Sequence, residues 1–203
     1  SAASDVYKRQ YTFSVLVDLS IPQNGKYQIY QAISQLVNIS PQGSVFLSFF
    51  GDEVTGSKLV TSENLKSFEP LFSKSSDYKY LYGALYSKLA EFNTVNAEKE
   101  SSIVGEAGYT RNSAISERAM RNKDKNILFV FTEGNKSPSF EENIAFIEVN
   151  EYQQDKSHLV PTVYAFYYTE QGKDVDIENV LMAICNPKVE GLSLIHISEP
   201  TRP

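Results

Sequence analysis

Asp18 and Ser20 stand two residues apart at the end of an apolar run, "FSVLVDLS", and Glu133 follows a second such run, "NILFVFTEG". A carboxylate and a hydroxyl at this spacing, with a second carboxylate on a neighbouring strand, suit two chemistries. Hard oxygens of this kind hold a divalent cation such as magnesium, which asks for about six of them in an octahedral set. A strand-end aspartate can instead serve as the nucleophile of a phosphohydrolase. Enzymes of the haloacid-dehalogenase type need a second aspartate two residues after the first, and Ser20 occupies that place. "GNKS" (134–137) lacks the spacing of a phosphate-binding loop. The chain has one cysteine, Cys185, and two histidines, His158 and His196. That leaves little material for Ser/His/Asp, Cys/His or zinc chemistry, and Cys185, within "ENVLMAICNP", reads as a buried structural thiol.

The elements that must position these residues alternate. Strands are expected at "YTFSVLVDLS", "SVFLSFFGDEV", "NILFVFTEGN" and "LVPTVYAFYYTE", with a short edge strand within "EVTGSKLV". Helices are expected at "GKYQIYQAISQLVNIS", with Ile29, Tyr30, Ile33, Leu36 and Val37 on one stripe, and at "TSENLKSFEPLFSK", capped by Ser62. Further helices follow at "KYLYGALYSKLAEF" on Leu81, Leu85, Leu89 and Phe92, at "SFEENIAFIEVNEYQQDK", and at "DIENVLMAICNP". Near-continuous apolar strands alternating with helices predict an α/β fold: a three-layer, Rossmann-like sandwich with a mainly parallel sheet and helices on both faces. Sites in such sheets form at the C-terminal strand ends, where Asp18 and Glu133 fall.

Both ends of the chain read differently. The DNA GATGTGTATAAGAGACAG translates as DVYKRQ, found within residues 1–10. Its reverse complement translates as LSLIHI, found within 192–203. Both ends resemble translated sequencing-adapter DNA and are set aside as tails, which leaves 11–191 as one domain, cut from a longer gene. Residues 93–125 are polar and weakly periodic and read as a solvated insertion. The net charge of −6 disfavours nonspecific nucleic-acid binding, and the apolar runs are of strand length, so no membrane insertion is expected.

In order and wording the chain resembles the von Willebrand factor type A domain. "DLS" resembles that family's opening metal-ligand motif, Asp-x-Ser-x-Ser. "KYLYGAL" resembles its segment Thr-Pro-Leu-Tyr-x-Ala-Leu, and "NILFVFTEGN" resembles its strand ending Thr-Asp-Gly. The resemblance implies a binding module rather than an enzyme, for a protein or surface ligand, in a bacterial cell-envelope or secreted setting; a phosphohydrolase using Asp18 and a structural domain with a decayed site are the alternatives. It also implies a magnesium site at the sheet edge, built from the first Asp, two Ser, a Thr and the later Asp. Asp18 and Ser20 match the first two positions, and Glu133 keeps the charge of the last. Pro22 takes the third position and supplies no side-chain oxygen, while Lys79 takes the Thr position and puts an ammonium where the cation's charge is needed. The expectation is therefore a degenerate metal-dependent adhesion site with no cofactor, magnesium being the alternative. Asp18, Ser20 and Glu133 would be its ligands if it still binds. Asp18, Ser20, Pro22, Lys79, Glu133 and Asn135 are the expected partner-binding residues.

Overall fold

The computed structural model describes residues 11–77, 80–91, 126–155, 160–169, 174–185 and 194–198. The elements run β1 (Thr12–Asp18), α1 (Gln23–Ile39), β2 (Val45–Phe50) and β3 (Lys58–Leu59), then a 3-10 turn (Leu65–Phe68) leading into α2 (Glu69–Phe72). They continue as α3 (81–91), β4 (Asn126–Thr132), α4 (Phe140–Gln154), β5 (Thr162–Thr169), α5 (Val175–Ile184) and β6 (Leu194–Ser198). The sheet order is β3-β2-β1-β4-β5-β6. All neighbours are parallel except the β2–β3 pair, so the short edge strand expected after Gly56 is present and antiparallel.

Strand alternation divides the core. Val15 and Val17 of β1 pack with Leu47, Phe49, Ile29, Ile33 and Phe72 on the face covered by α1 and α2. Leu16 packs with Leu85, Leu128, Val130, Val149, Val163 and Leu181 on the face covered by α3, α4 and α5. The three-layer sandwich follows from that division, because the central strands are apolar on both faces and the covering helices turn apolar stripes to the sheet. On the first face Phe13, Phe129, Phe166 and Phe131 form a chain of ring contacts with centroids 4.5–5.9 Å apart.

One expectation needs correction. The helix expected over 61–74 is broken into a 3-10 turn and a single turn of α-helix, with Pro70 inside the first turn of the latter. Ser62 does not cap it. Thr61 and Asn64 do the local work, the Thr61 N–H donating to Asn64 Oδ1 at 2.8 Å and the Asn64 N–H to Thr61 Oγ1 at 3.3 Å. The C-terminal residues set aside as a tail include β6, which pairs with β5 from Ala165 opposite Leu194 to Thr169 opposite Ser198. A run such as "LIHIS" has strand-forming composition, and β5 offers an edge whose backbone groups need partners. Residues 1–10, the 93–125 insertion, His158 and Phe92 lie outside the described residues.

Candidate functional site

The β1–β4 pairing places Val17 opposite Phe131 and carries Asp18 level with Thr132 at the C-terminal edge. Both side chains turn to the α3 side, in phase with Leu16 and Val130. Thr132 Oγ1 donates to Asp18 Oδ2 at 2.8 Å, and the Gly134 N–H donates to Thr132 Oγ1 at 3.0 Å. The other carboxylate oxygen, Oδ1, accepts the Ser20 N–H at 2.8 Å and the Ser20 hydroxyl at 2.6 Å. Asp18 is thus engaged on both oxygens by the protein's own donors and only 1% exposed.

Burial is the largest influence on Asp18 and raises its pKa above the ordinary 3.8. The bonds from Ser20 and Thr132 oppose that rise, and the negative charge of Glu133 adds to it. The structure therefore brings Asp18, Ser20 and Glu133 to one edge, as the strand-end rule implies. It also adds Thr132, an oxygen that sequence reasoning did not single out.

Among the described residues, Lys26 is a cation beside Asp18, in the first turn of α1 and 1% exposed. Its Nζ donates to the carbonyls of Leu19, at 3.2 Å, and of Lys74. Burial lowers the Lys26 pKa, and the charge of Asp18 pushes it back up. Lys79, the expected counter-ion, lies outside the described residues. Lys26 shares a stripe with Ile29 and Ile33, at i, i+3 and i+7, and a lysine in phase with buried apolar residues is the signal that could have found it.

Two of the expected contact residues are buried. Asp18 is enclosed beneath the edge. Asn135, 9% exposed, turns inward, its Nδ2 donating to Glu142 Oε2 at 3.1 Å and its Oδ1 accepting the Ser137 N–H at 3.3 Å. Glu142, 1% exposed in the first turn of α4, also accepts the N–H groups of Tyr82 and Gly83 at 3.0 Å each. One carboxylate thereby satisfies donors at the start of α3 and ties them to the loop after β4. Burial and that charge push the Tyr82 phenol up to about 12. Tyr82 stacks edge-on with Phe146, and Tyr86 with Tyr152, which makes both packing residues.

The donor set fits magnesium poorly. An octahedral ion requires lone pairs directed at a common centre. Those of Asp18 are directed at Ser20 and Thr132, Pro22 offers no side-chain oxygen, and a buried ammonium stands nearby. Among the described residues, no group of three or more His, Cys, Asp or Glu is arranged to hold a metal ion. The described helices include none long and apolar enough to cross a membrane.

No protein-family profile matches the sequence, and no curated protein matches it. Among solved structures, the chain is similar to proximal thread matrix protein 1 from the mussel byssus, with a TM-score of 0.57 and 14% identity over 93% of this chain and 44% of that one. The chain thus spans less than half the length of that protein. The conserved hypothetical protein BatB from Bacteroides thetaiotaomicron is similar at a TM-score of 0.49 and 12% identity, over 94% of this chain and 91% of that one. At such identity the first likeness speaks to the fold alone: a mostly parallel α/β sheet flanked by helices.

Proposed function

We propose that this domain is a noncatalytic interaction module of the von Willebrand factor A type, in which the metal-dependent adhesion site survives in outline. In this reading the sheet edge formed by the 18–22 and 133–136 loops receives a protein or surface ligand, with Ser20, Pro22 and Glu133 nearest the contact. Asp18 organises the edge from beneath, and Lys26 supplies the positive charge that a metal supplies elsewhere in the family.

The observation that carries this reading is the Asp18 carboxylate, with both oxygens engaged by internal donors and a buried ammonium close by. A nucleophilic aspartate needs an open line of approach, and the burial of Asp18 counts against the phosphohydrolase alternative.

Calorimetric titration with Mg²⁺ and Mn²⁺, melting curves with chelator and a phosphatase substrate panel test the proposal together. The expected results are no heat of binding at millimolar metal, no chelator effect and no turnover. Micromolar metal binding would restore a working adhesion site, and turnover abolished by Asp18→Asn would restore the enzyme.

A further inference from the structure

The helix α4 is apolar on two opposite faces. Ala145 and Val149 are buried against the sheet, in phase with Glu142. On the other side Phe140, Ile144 and Ile147 are 75%, 42% and 56% exposed. Their spacing of i, i+4 and i+7 forms one continuous stripe, the pattern by which a helix presents itself to a partner helix. Single exposed apolar residues need no explanation, but three in register along the outward side of one helix do.

The charges on α4 are of one sign. "FEENIAFIEVNEYQQ" contains four glutamates and no lysine or arginine. Glu141, Glu148 and Glu151 are exposed beside or at the end of the apolar stripe. No described lysine or arginine forms an ion pair with any of them. Glu151 lies in the last turn and Glu148 just before it, towards the end where the helix dipole is already negative and acids are disfavoured. A partner bringing cations to this flank would relieve that repulsion as it covers the apolar residues.

We infer that the outward face of α4 docks a basic amphipathic helix of another protein, its apolar residues on Phe140, Ile144 and Ile147 and its lysines or arginines against Glu148 and Glu151. A helix is the fitting occupant because rows of side chains at i, i+4 and i+7 receive the ridges of a second helix. A second copy of this chain is a poor occupant, since a two-fold contact through α4 would set acids against acids. An anionic membrane surface is repelled for the same reason. This surface lies on the outward face of α4 and does not depend on the reading of the Asp18 edge.

The test uses the full chain and a synthetic helical peptide of about 18 residues, with Leu on one face and Lys on the other. A control peptide replaces every Lys by Glu. Fluorescence titration is expected to show binding of the Lys peptide and none of the Glu peptide. Ile147→Ser and the pair Glu148→Lys with Glu151→Lys should each weaken the Lys peptide by about tenfold or more. The charge-reversed pair should in turn gain affinity for the Glu peptide. Hydrogen exchange on the unaltered chain supplies a measure independent of variant folding, with protection by the Lys peptide confined to 140–151. Equal binding by both peptides, or protection elsewhere, would overturn the assignment. Sedimentation showing self-association that Ile147→Ser abolishes would overturn it in favour of a second copy. Binding to anionic lipid vesicles that Ile147→Ser abolishes would overturn it in favour of a membrane.

Discussion

Glu142 accepts the backbone N–H of Gly83 at 3.0 Å across fifty-nine residues of sequence, so the start of α3 is held by a carboxylate from α4. The second oxygen takes the Tyr82 N–H and the Asn135 amide. Removing the carboxylate leaves buried donors unsatisfied at both ends of this tie. Glu142→Ala should cost about 3 kcal/mol, counting roughly 1–3 kcal/mol for each stranded buried group without full additivity. For a domain of this size that is a fall of roughly 6–12 °C in the melting midpoint. Glu142→Gln keeps an acceptor and should lose less. A change within about one degree for Glu142→Ala would mean that the bonds to Tyr82 and Gly83 contribute nothing.

Asp18 provides a pH test with a definite sign. Its folded pKa is raised, first by burial, above the ordinary 3.8. Its contribution to stability is therefore fully present below 3.8 and is lost as pH climbs through the raised folded value. Melting the wild type beside Asp18→Asn from about pH 4 to about pH 7 should show the wild type losing ground as pH rises. The opposite trend would mean that the bonds from Ser20 and Thr132 outweigh burial.

Lys26 should prove coupled to Asp18. Lys26→Met strands the carbonyls of Leu19 and Lys74 and removes a positive charge near Asp18. The expected loss is about 1–3 kcal/mol. Combined with Asp18→Asn, the loss should be smaller than the sum of the two single changes by about 0.5 kcal/mol or more, measured by denaturant unfolding. Strict additivity would mean that the two charges act separately.

Gly134 has φ +76, and a Cβ there would lie 2.4 Å from Cγ2 of Ile177. Gly134→Ala therefore meets both an unfavourable backbone region and a packed side chain. Because the Gly134 N–H also supports Thr132, the substitution should disturb the Asp18 edge as well as stability. A loss of roughly 1–3 kcal/mol is expected. Ile177→Val in the same chain should not restore it, since the branched carbon that carries Cγ2 remains.

How the fold could be read from the sequence follows from particular residues. β1, β2 and β4 are apolar on both faces, which marks buried parallel strands without an alignment. The Leu81, Leu85 and Leu89 spacing marks α3 in the same way. Asp18 and Glu133 were legible because they stand where such runs end. Lys26, Lys88 and Glu142 were not, because a charged residue in a helix is ordinarily exposed. Yet each stands in phase with an apolar stripe: Lys26 with Ile29 and Ile33, Lys88 with Leu81 and Leu85, Glu142 with Ala145 and Val149. Each is satisfied by groups far away in sequence. Lys88, for example, donates to the Thr55 carbonyl at 2.9 Å, across thirty-three residues of sequence. Partners of that kind have no local pattern. Pro70 marks the break in the 61–74 segment, which the apolar spacing around it does not show.

Cys185 gives the molecule an internal clock. It is the chain's single thiol, buried at the end of α5, and burial pushes its pKa up to about 11. In the closed fold it is both shielded and protonated, so an alkylating reagent reaches it only through an opening event. At low reagent concentration its labelling rate reports the free energy of opening, and at saturating reagent it reports the opening rate itself. Because α5 packs beside β5, that clock measures when the half of the sheet farthest from β3 lets go.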